Sequence, residues 1–339
     1  MSDLILYAGF AAIVSVLLGV DLLVVHKDSH AVSIKEAGVW SAIWIGCAVL
    51  FGLFITQFHE GVAGESTTVA YFTGYVIEKS LSVDNVFLFV LIFGALSVPK
   101  ALQHRVLFYG VLGAIVMRTI LIFTGAALIE RFDWILYLFG AFLVYTGIQT
   151  WLQRYEHPDI TNSRMLGRIK RTFPTTEDYR GEHFFVRENG RLLATPMFIV
   201  LVLVEFTDLI FAMDSIPAVF AVTRDPFIVL TSNIFAILGL RALYFLLAGI
   251  ADKLRYLKAG LAVILTYVGV KLIYEHLHED VEALHDLPGI NPLVSLGIIG
   301  AILAVAVIAS LRNPLAAGEE PPAGVGPFER SERRDRAPH

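Results

Sequence analysis

Apolar residues along this chain come in long unbroken blocks, not in the alternating or one-faced patterns of a water-soluble core. Windows of about 20 apolar residues, the length that crosses a bilayer as a helix, predict nine spans. They fall at 4–26, 39–57, 70–97, 106–129, 133–152, 196–222, 227–250, 256–275 and 292–311. The first block, "LILYAGFAAIVSVLLGVDLLVV", lacks a positively charged leader region and a small-x-small cleavage site, so it reads as a retained span. The expected fold class is an all-α polytopic membrane protein.

The polar connections between these blocks alternate in charge. Basic residues gather in every second connection: Lys27 and Lys35; Lys100 and Arg105; the long 153–195 segment; Lys253, Arg255 and Lys258; and the tail with Arg312, Arg330, Arg333, Arg334 and Arg336. The remaining connections hold none, or a single Arg131 or Arg224. Basic loops stay cytoplasmic, which puts the N-terminus outside and the C-terminus inside a cell inner (plasma) membrane. The 153–195 loop has room for a short helix or hairpin but not for a core of its own. The Pro-, Gly- and charge-rich tail has the composition of a disordered segment.

Two spans carry matching acidic motifs. Placing "EKSLSVDNVFLF" over "DLIFAMDSIPAVF" aligns Glu78 with Asp208, Asp84 with Asp214 and Asn85 with Ser215. Further along, Arg118 aligns with Arg241, and Tyr145 and Gly147 of "VYTGIQ" align with Tyr267 and Gly269 of "TYVGVK". The repeating unit holds three spans, and an odd number forces the second copy into the membrane upside down, as in many secondary transporters. The chain then divides into two leading helices (1–69), a first three-helix repeat (70–152), a cytoplasmic loop (153–195) and a second three-helix repeat (196–276). An external loop with the last helix (277–313) and a disordered tail (314–339) complete it.

Charges inside the spans set the chemistry. Asp21, Glu78, Asp84, Glu205, Asp208 and Asp214 face Lys79, Arg118, Arg241 and Lys271, which leaves two negative charges if all are ionised. Each charge near the bilayer centre costs on the order of 2.5–3.5 kcal/mol, so these groups pair, take up protons or face a hydrated cavity. On an ideal helix Glu78, Ser82 and Asn85 share one face, as Glu205 does with Asp208 and Ala212, while Asp84 and Asp214 lie roughly 120° away. Pro217 removes one helix hydrogen bond, which predicts a kink that frees the Met213 carbonyl. Carboxylates, an amide and hydroxyls, without Cys or His, make a hard oxygen set suited to Mg²⁺, Ca²⁺ or Mn²⁺. The alternative is that the acids pair with Arg118, Arg241 and Lys79 as structural glue. Asp21 pairs with Lys27 or lines an access path, Lys271 snorkels to the membrane edge, and Met213 is span filler.

Composition narrows the partners. The 339 residues are 56% hydrophobic and 17% charged with net charge −5, and the mean hydropathy is +0.68, so lipid is the solvent. No basic stripe or phosphate loop supports nucleic-acid or nucleotide binding. Cys47 has no second cysteine to pair with. "EHLHEDVEALHD" (275–286) gathers His276, His278, Glu279, Asp280, Glu282, His285 and Asp286; it could capture or release metal, with a solvated acidic loop as the default.

"EKSLSVDNVFLF", "VEFTDLIFAMDSIPAVFAVT" and "TSNIFAILGLRALYF" together resemble the TerC family, especially its Alx-like branch within the lysine-exporter superfamily, over about residues 5–311. The resemblance implies manganese homeostasis, with export of Mn²⁺ from the cytoplasm, and carries the family's motif acids and polar neighbours onto Glu78, Ser82, Asp84, Asn85, Glu205, Asp208, Asp214 and Ser215 as the expected metal ligands. The inverted repeat adds the expectation of alternating access, and carboxylates able to exchange metal for protons add proton return as the driver, with no catalysis and no bound cofactor. A scaffold handing manganese to exported metalloproteins beside the translocation machinery, or an amino-acid exporter, remains the alternative. An intramembrane aspartyl hydrolase on Asp84 and Asp214 lacks the Gly-x-Gly-Asp pattern such enzymes show.

Overall fold

A computed structural model describes residues 3–25, 34–61, 66–153, 164–188, 190–248, 256–281 and 290–313. Lys27, residues 282–286 of the His- and acid-rich segment, and the tail beyond Asn313 lie outside the described residues. The chain is helical: α1 (Asp3–Val25), α2 (Ile34–Phe54), α3 (Thr67–Ala95), α4 (Lys100–Arg131) and α5 (Ile135–Leu152) precede the long polar connection. Within that connection lie α6 (Arg164–Thr172) and the antiparallel hairpin β1 (Phe185–Glu188) and β2 (Arg191–Ala194). Then follow α7 (Pro196–Phe220), α8 (Pro226–Leu238), α9 (Leu240–Ala248), α10 (Leu257–Asp280) and α11 (Pro292–Arg312).

Seven of these helices are long and apolar enough to cross a membrane, and α8 with α9 meets the same measure only as a pair, bent by 43° between them. The 29 residues of α3 would extend about 43 Å, but Glu78, Lys79 and Asp84 interrupt its apolar run. Large apolar side chains point outward along the bundle, among them Ile120, Leu138 and Val305, as lipid-facing helices require. Local chemistry marks the helix starts. Asp225 accepts from the backbone amides of Phe227 and Ile228 ahead of Pro226, and Asn291 accepts from Leu293 at 2.8 Å ahead of Pro292; both pair a side-chain cap with a proline in the first turn. The connection ahead of the hairpin docks through Tyr179, whose hydroxyl donates to the Leu96 carbonyl at 2.8 Å and whose pKa burial pushes up to about 12.

Packing between the halves is reciprocal. α3 lies against α8, as α7 lies against α4, and α3 meets α7 directly. α5 and α10 cross on glycines: a Cβ on Gly147 would stand 2.8 Å from the Thr266 nitrogen and 2.9 Å from the Ala262 oxygen. One on Gly269 would stand 2.8 Å from the Val144 nitrogen and 2.7 Å from the Gly140 oxygen. A single shift in numbering carries Gly147 to Gly269, Val144 to Thr266 and Gly140 to Ala262, so each helix presents the other with the same contact.

Two local expectations change. α7 runs unbroken through Pro217, which falls in its last turn where little helix remains to be deflected. The break lies instead at Gly239, between α8 and α9. α10 continues to Asp280, so "EHLHED" is helical rather than loop.

Candidate functional site

The centre of the bundle is organised by one buried guanidinium. Arg118 of α4 is fully buried. Its Nη1 donates to Glu78 Oε1 and to Asn233 Oδ1 at 3.0 Å. Asp208 accepts in bidentate fashion, from Nε at 3.2 Å and Nη2 at 2.9 Å, and Ser215 Oγ lies 3.4 Å from Nη1. Glu78, Asp208, Ser215 and Asn233 are themselves buried. Four helices, α3, α4, α7 and α8, thus meet at one planar fork, the geometry arginine offers and lysine does not. One positive charge answers two carboxylates, so the hub keeps a surplus of negative charge.

Above and below the hub, one face of α3 carries buried oxygens without partners. Tyr75 OH, Glu78 Oε2, Ser82 Oγ and Asn85 Oδ1 have no hydrogen-bond partner among the described residues, and neither does Asn233 Nδ2. Positions 75, 78, 82 and 85 recur at three- and four-residue intervals, so the helix stacks them on a single stripe. Buried oxygens without donors cost about 1–3 kcal/mol each, and a cation is the partner their chemistry suits.

The other expected ligands are placed differently. Glu205 is half-buried with its carboxylate against Gly113 of α4, where a Cβ would collide with it. Asp84 is half-buried and feels the charge of Lys258 in the first turn of α10. Asp214, also half-buried, stands outside the Arg118 hub beside the outward-facing Met213. The structure therefore gathers Glu78, Asp208 and Ser215, lines Ser82 and Asn85 up with Glu78, and leaves Asp84, Asp214 and Glu205 at the periphery.

The glue reading holds for part of the set: Arg118 locks Glu78 and Asp208. The remaining bases act elsewhere. Arg241 Nη2 pairs with Asp21 Oδ1 at 2.7 Å and donates to its backbone carbonyl, a partner that the sequence reading did not name for Asp21 and one that ties α9 to α1. Lys79 donates to the Ala236 carbonyl at 3.1 Å, beside the α8–α9 break. Lys271 does not snorkel; it is buried, 3.3 Å from the Ala221 carbonyl and 3.2 Å from Glu275. Sequence reasoning passed over Asn233, although an amide in the middle of the apolar run "TSNIFAIL" was a visible signal.

Buried ion pairs where four helices of an apolar bundle meet define an all-α polytopic membrane protein. The sequence matches the family described as "Integral membrane protein TerC family" over residues 63–315, and the chain belongs to that family. A membrane protein of Escherichia coli K12 with the provisional name membrane-bound redox modulator Alx is 48% identical over 309 residues, 90% of this chain and 93% of that one. An uncharacterized membrane protein of Myxococcus xanthus is 47% identical over 306 residues, covering 90% and 92%. One from Rickettsia bellii is 40% identical over 294 residues, covering 87% and 96%. No solved structure matches the chain.

Proposed function

We propose that this protein exports a hard divalent cation, Mn²⁺ foremost, from the cytoplasm across the inner membrane by alternating access. The observation that carries the reading is the stripe of partnerless oxygens on α3, Glu78 Oε2, Ser82 Oγ and Asn85 Oδ1, next to Asp208 and Ser215 on Arg118. These are neutral and anionic oxygens with no hydrogen-bond partner placed against them among the described residues, and an oxygen set favours a hard ion over a thiophilic one.

Arg118 holds Glu78 Oε1 and leaves Oε2 for the ion, so it positions a ligand while limiting the charge of the empty site. Asp84 and Asp214, half-buried on either side, relay the ion in and out. Reciprocal packing of α5 with α10 supports an inverted pair of three-helix units that rock about this crossing. The α8–α9 break, capped by Lys79, supplies a bend of the kind that discontinuous transporter helices use. Proton return through the same carboxylates would keep charge movement small. An amino-acid cargo would need a guanidinium for its carboxylate, and both Arg118 and Arg241 are engaged.

The test is flux. Proteoliposomes loaded with a manganese-sensitive dye are expected to respond with wild type, and to lose at least nine-tenths of the rate with Glu78→Gln, Asp84→Asn or Asp214→Asn. Equal flux in all four would reject the site.

A further inference from the structure

The end of the bundle opposite the basic loops holds a second set of metal-ligating side chains, away from both acidic motifs. Asp133 sits in the turn between α4 and α5; His276 and Asp280 lie one turn apart near the end of α10. Each offers one ligand atom within 4.8 Å of the other two. His276 Nε2 is 3.7 Å from Asp133 Oδ2 and 3.8 Å from Asp280 Oδ2. Those gaps exceed hydrogen-bond length. Bonds of about 2.1 Å at the tetrahedral angle put two donor atoms about 3.4 Å apart, so a shift of a few tenths of an ångström by the two exposed carboxylates brings the three donors onto one first-row ion.

The surroundings orient each donor. The other oxygen of Asp133, Oδ1, faces Arg224 Nη1 at 3.5 Å, which turns Oδ2 toward the histidine. Tyr137 donates to Asp280 Oδ2 at 2.7 Å and lays its ring 4.4 Å from that of His276. The imidazole is buried at 2% exposure, while the two carboxylates are exposed at 58% and 50%. A cavity of about 270 Å³ reaches His276 together with Lys271, Glu275 and Arg224. Another, of about 410 Å³, reaches Asp133 from the side of Glu130 and Arg224. Water and an ion have access from both.

We propose that Asp133, His276 and Asp280 form a divalent transition-metal site at this mouth of the bundle, separate from the α3–α7 site. One imidazole nitrogen with two carboxylates takes Mn²⁺, Co²⁺ or Zn²⁺ in preference to Mg²⁺ or Ca²⁺. Occupancy clamps the α4–α5 turn to α10, across the same helix pair that meets on glycines.

The histidine makes the two sites separable, because the acidic motifs contain none. Tag-free full-length protein in lipid nanodiscs, loaded with Mn²⁺, is examined by pulsed electron paramagnetic resonance for coupling to imidazole ¹⁴N. Coupling is expected in wild type, in Asp84→Asn and in Asp214→Asn, and is expected to vanish in His276→Ala. The double variant Asp133→Asn with Asp280→Asn changes two exposed positions and keeps the test alive if His276→Ala fails to fold; it is expected to lose the coupling at equal Mn²⁺. Absence of ¹⁴N coupling in wild type, or its persistence in the variants that fold, overturns the proposal. Retained coupling with lost flux in Asp84→Asn would show that the two sites stand or fall separately.

Discussion

At the scale of single residues, Arg118 decides the most. Replacing it with Met would leave Glu78 and Asp208 as uncompensated buried charges, a loss of about 3–5 kcal/mol. A marked drop in the unfolding temperature of the detergent-solubilised protein, partly recovered by adding Glu78→Gln and Asp208→Asn, is the expected result. Asp84→Asn and Asp214→Asn should leave that temperature nearly unchanged, because neither acid belongs to the Arg118 hub. The motif acids and Arg118 were legible in the sequence as charges that a bilayer penalises unless partnered. Which acid met which base was not, since partner choice is settled by helix rotation and depth. Asp21 found Arg241 on α9, 220 positions away in sequence, and Lys271 turned inward to the Ala221 carbonyl.

Among the helices, crossing distance and the position of breaks carry the argument. Gly147→Val and Gly269→Val each drive a side chain into backbone across the α5–α10 crossing, and overpacking of this kind costs about 1–3 kcal/mol. Both should lower the unfolding temperature by similar amounts, whereas Gly9→Val, with nothing within 4 Å, should not. The cap on α8 gives a separate test. Lys79→Met removes the donor to the Ala236 carbonyl, and backbone hydrogen exchange over residues 236–243 should accelerate while exchange in α5 stays the same. Hydropathy located the helices well because lipid tolerates little else. It misplaced the bend: Pro217 announces itself in sequence but sits too near the end of α7 to redirect it, while Gly239 is one glycine among many.

For the molecule as a whole, the matched glycines and the exchange of α3–α8 with α4–α7 contacts are the contacts that the proposed pair of inverted three-helix units would make. A family resemblance carried on two acidic motifs was readable before any coordinates, and the family match bears it out. Long-range pairing of residues more than 100 positions apart, such as Arg118 with Asn233, needed the fold. The central claim is that an ion lies between the halves on α3 oxygens, and anomalous scattering at the manganese edge from Mn²⁺-soaked crystals tests it most directly. The account predicts a peak within bonding distance of Glu78, with Asn85 or Asp208 as a further ligand, that disappears in Glu78→Gln. A fully occupied Arg118 hub with no anomalous peak between α3 and α7, in protein that still moves Mn²⁺, would contradict it.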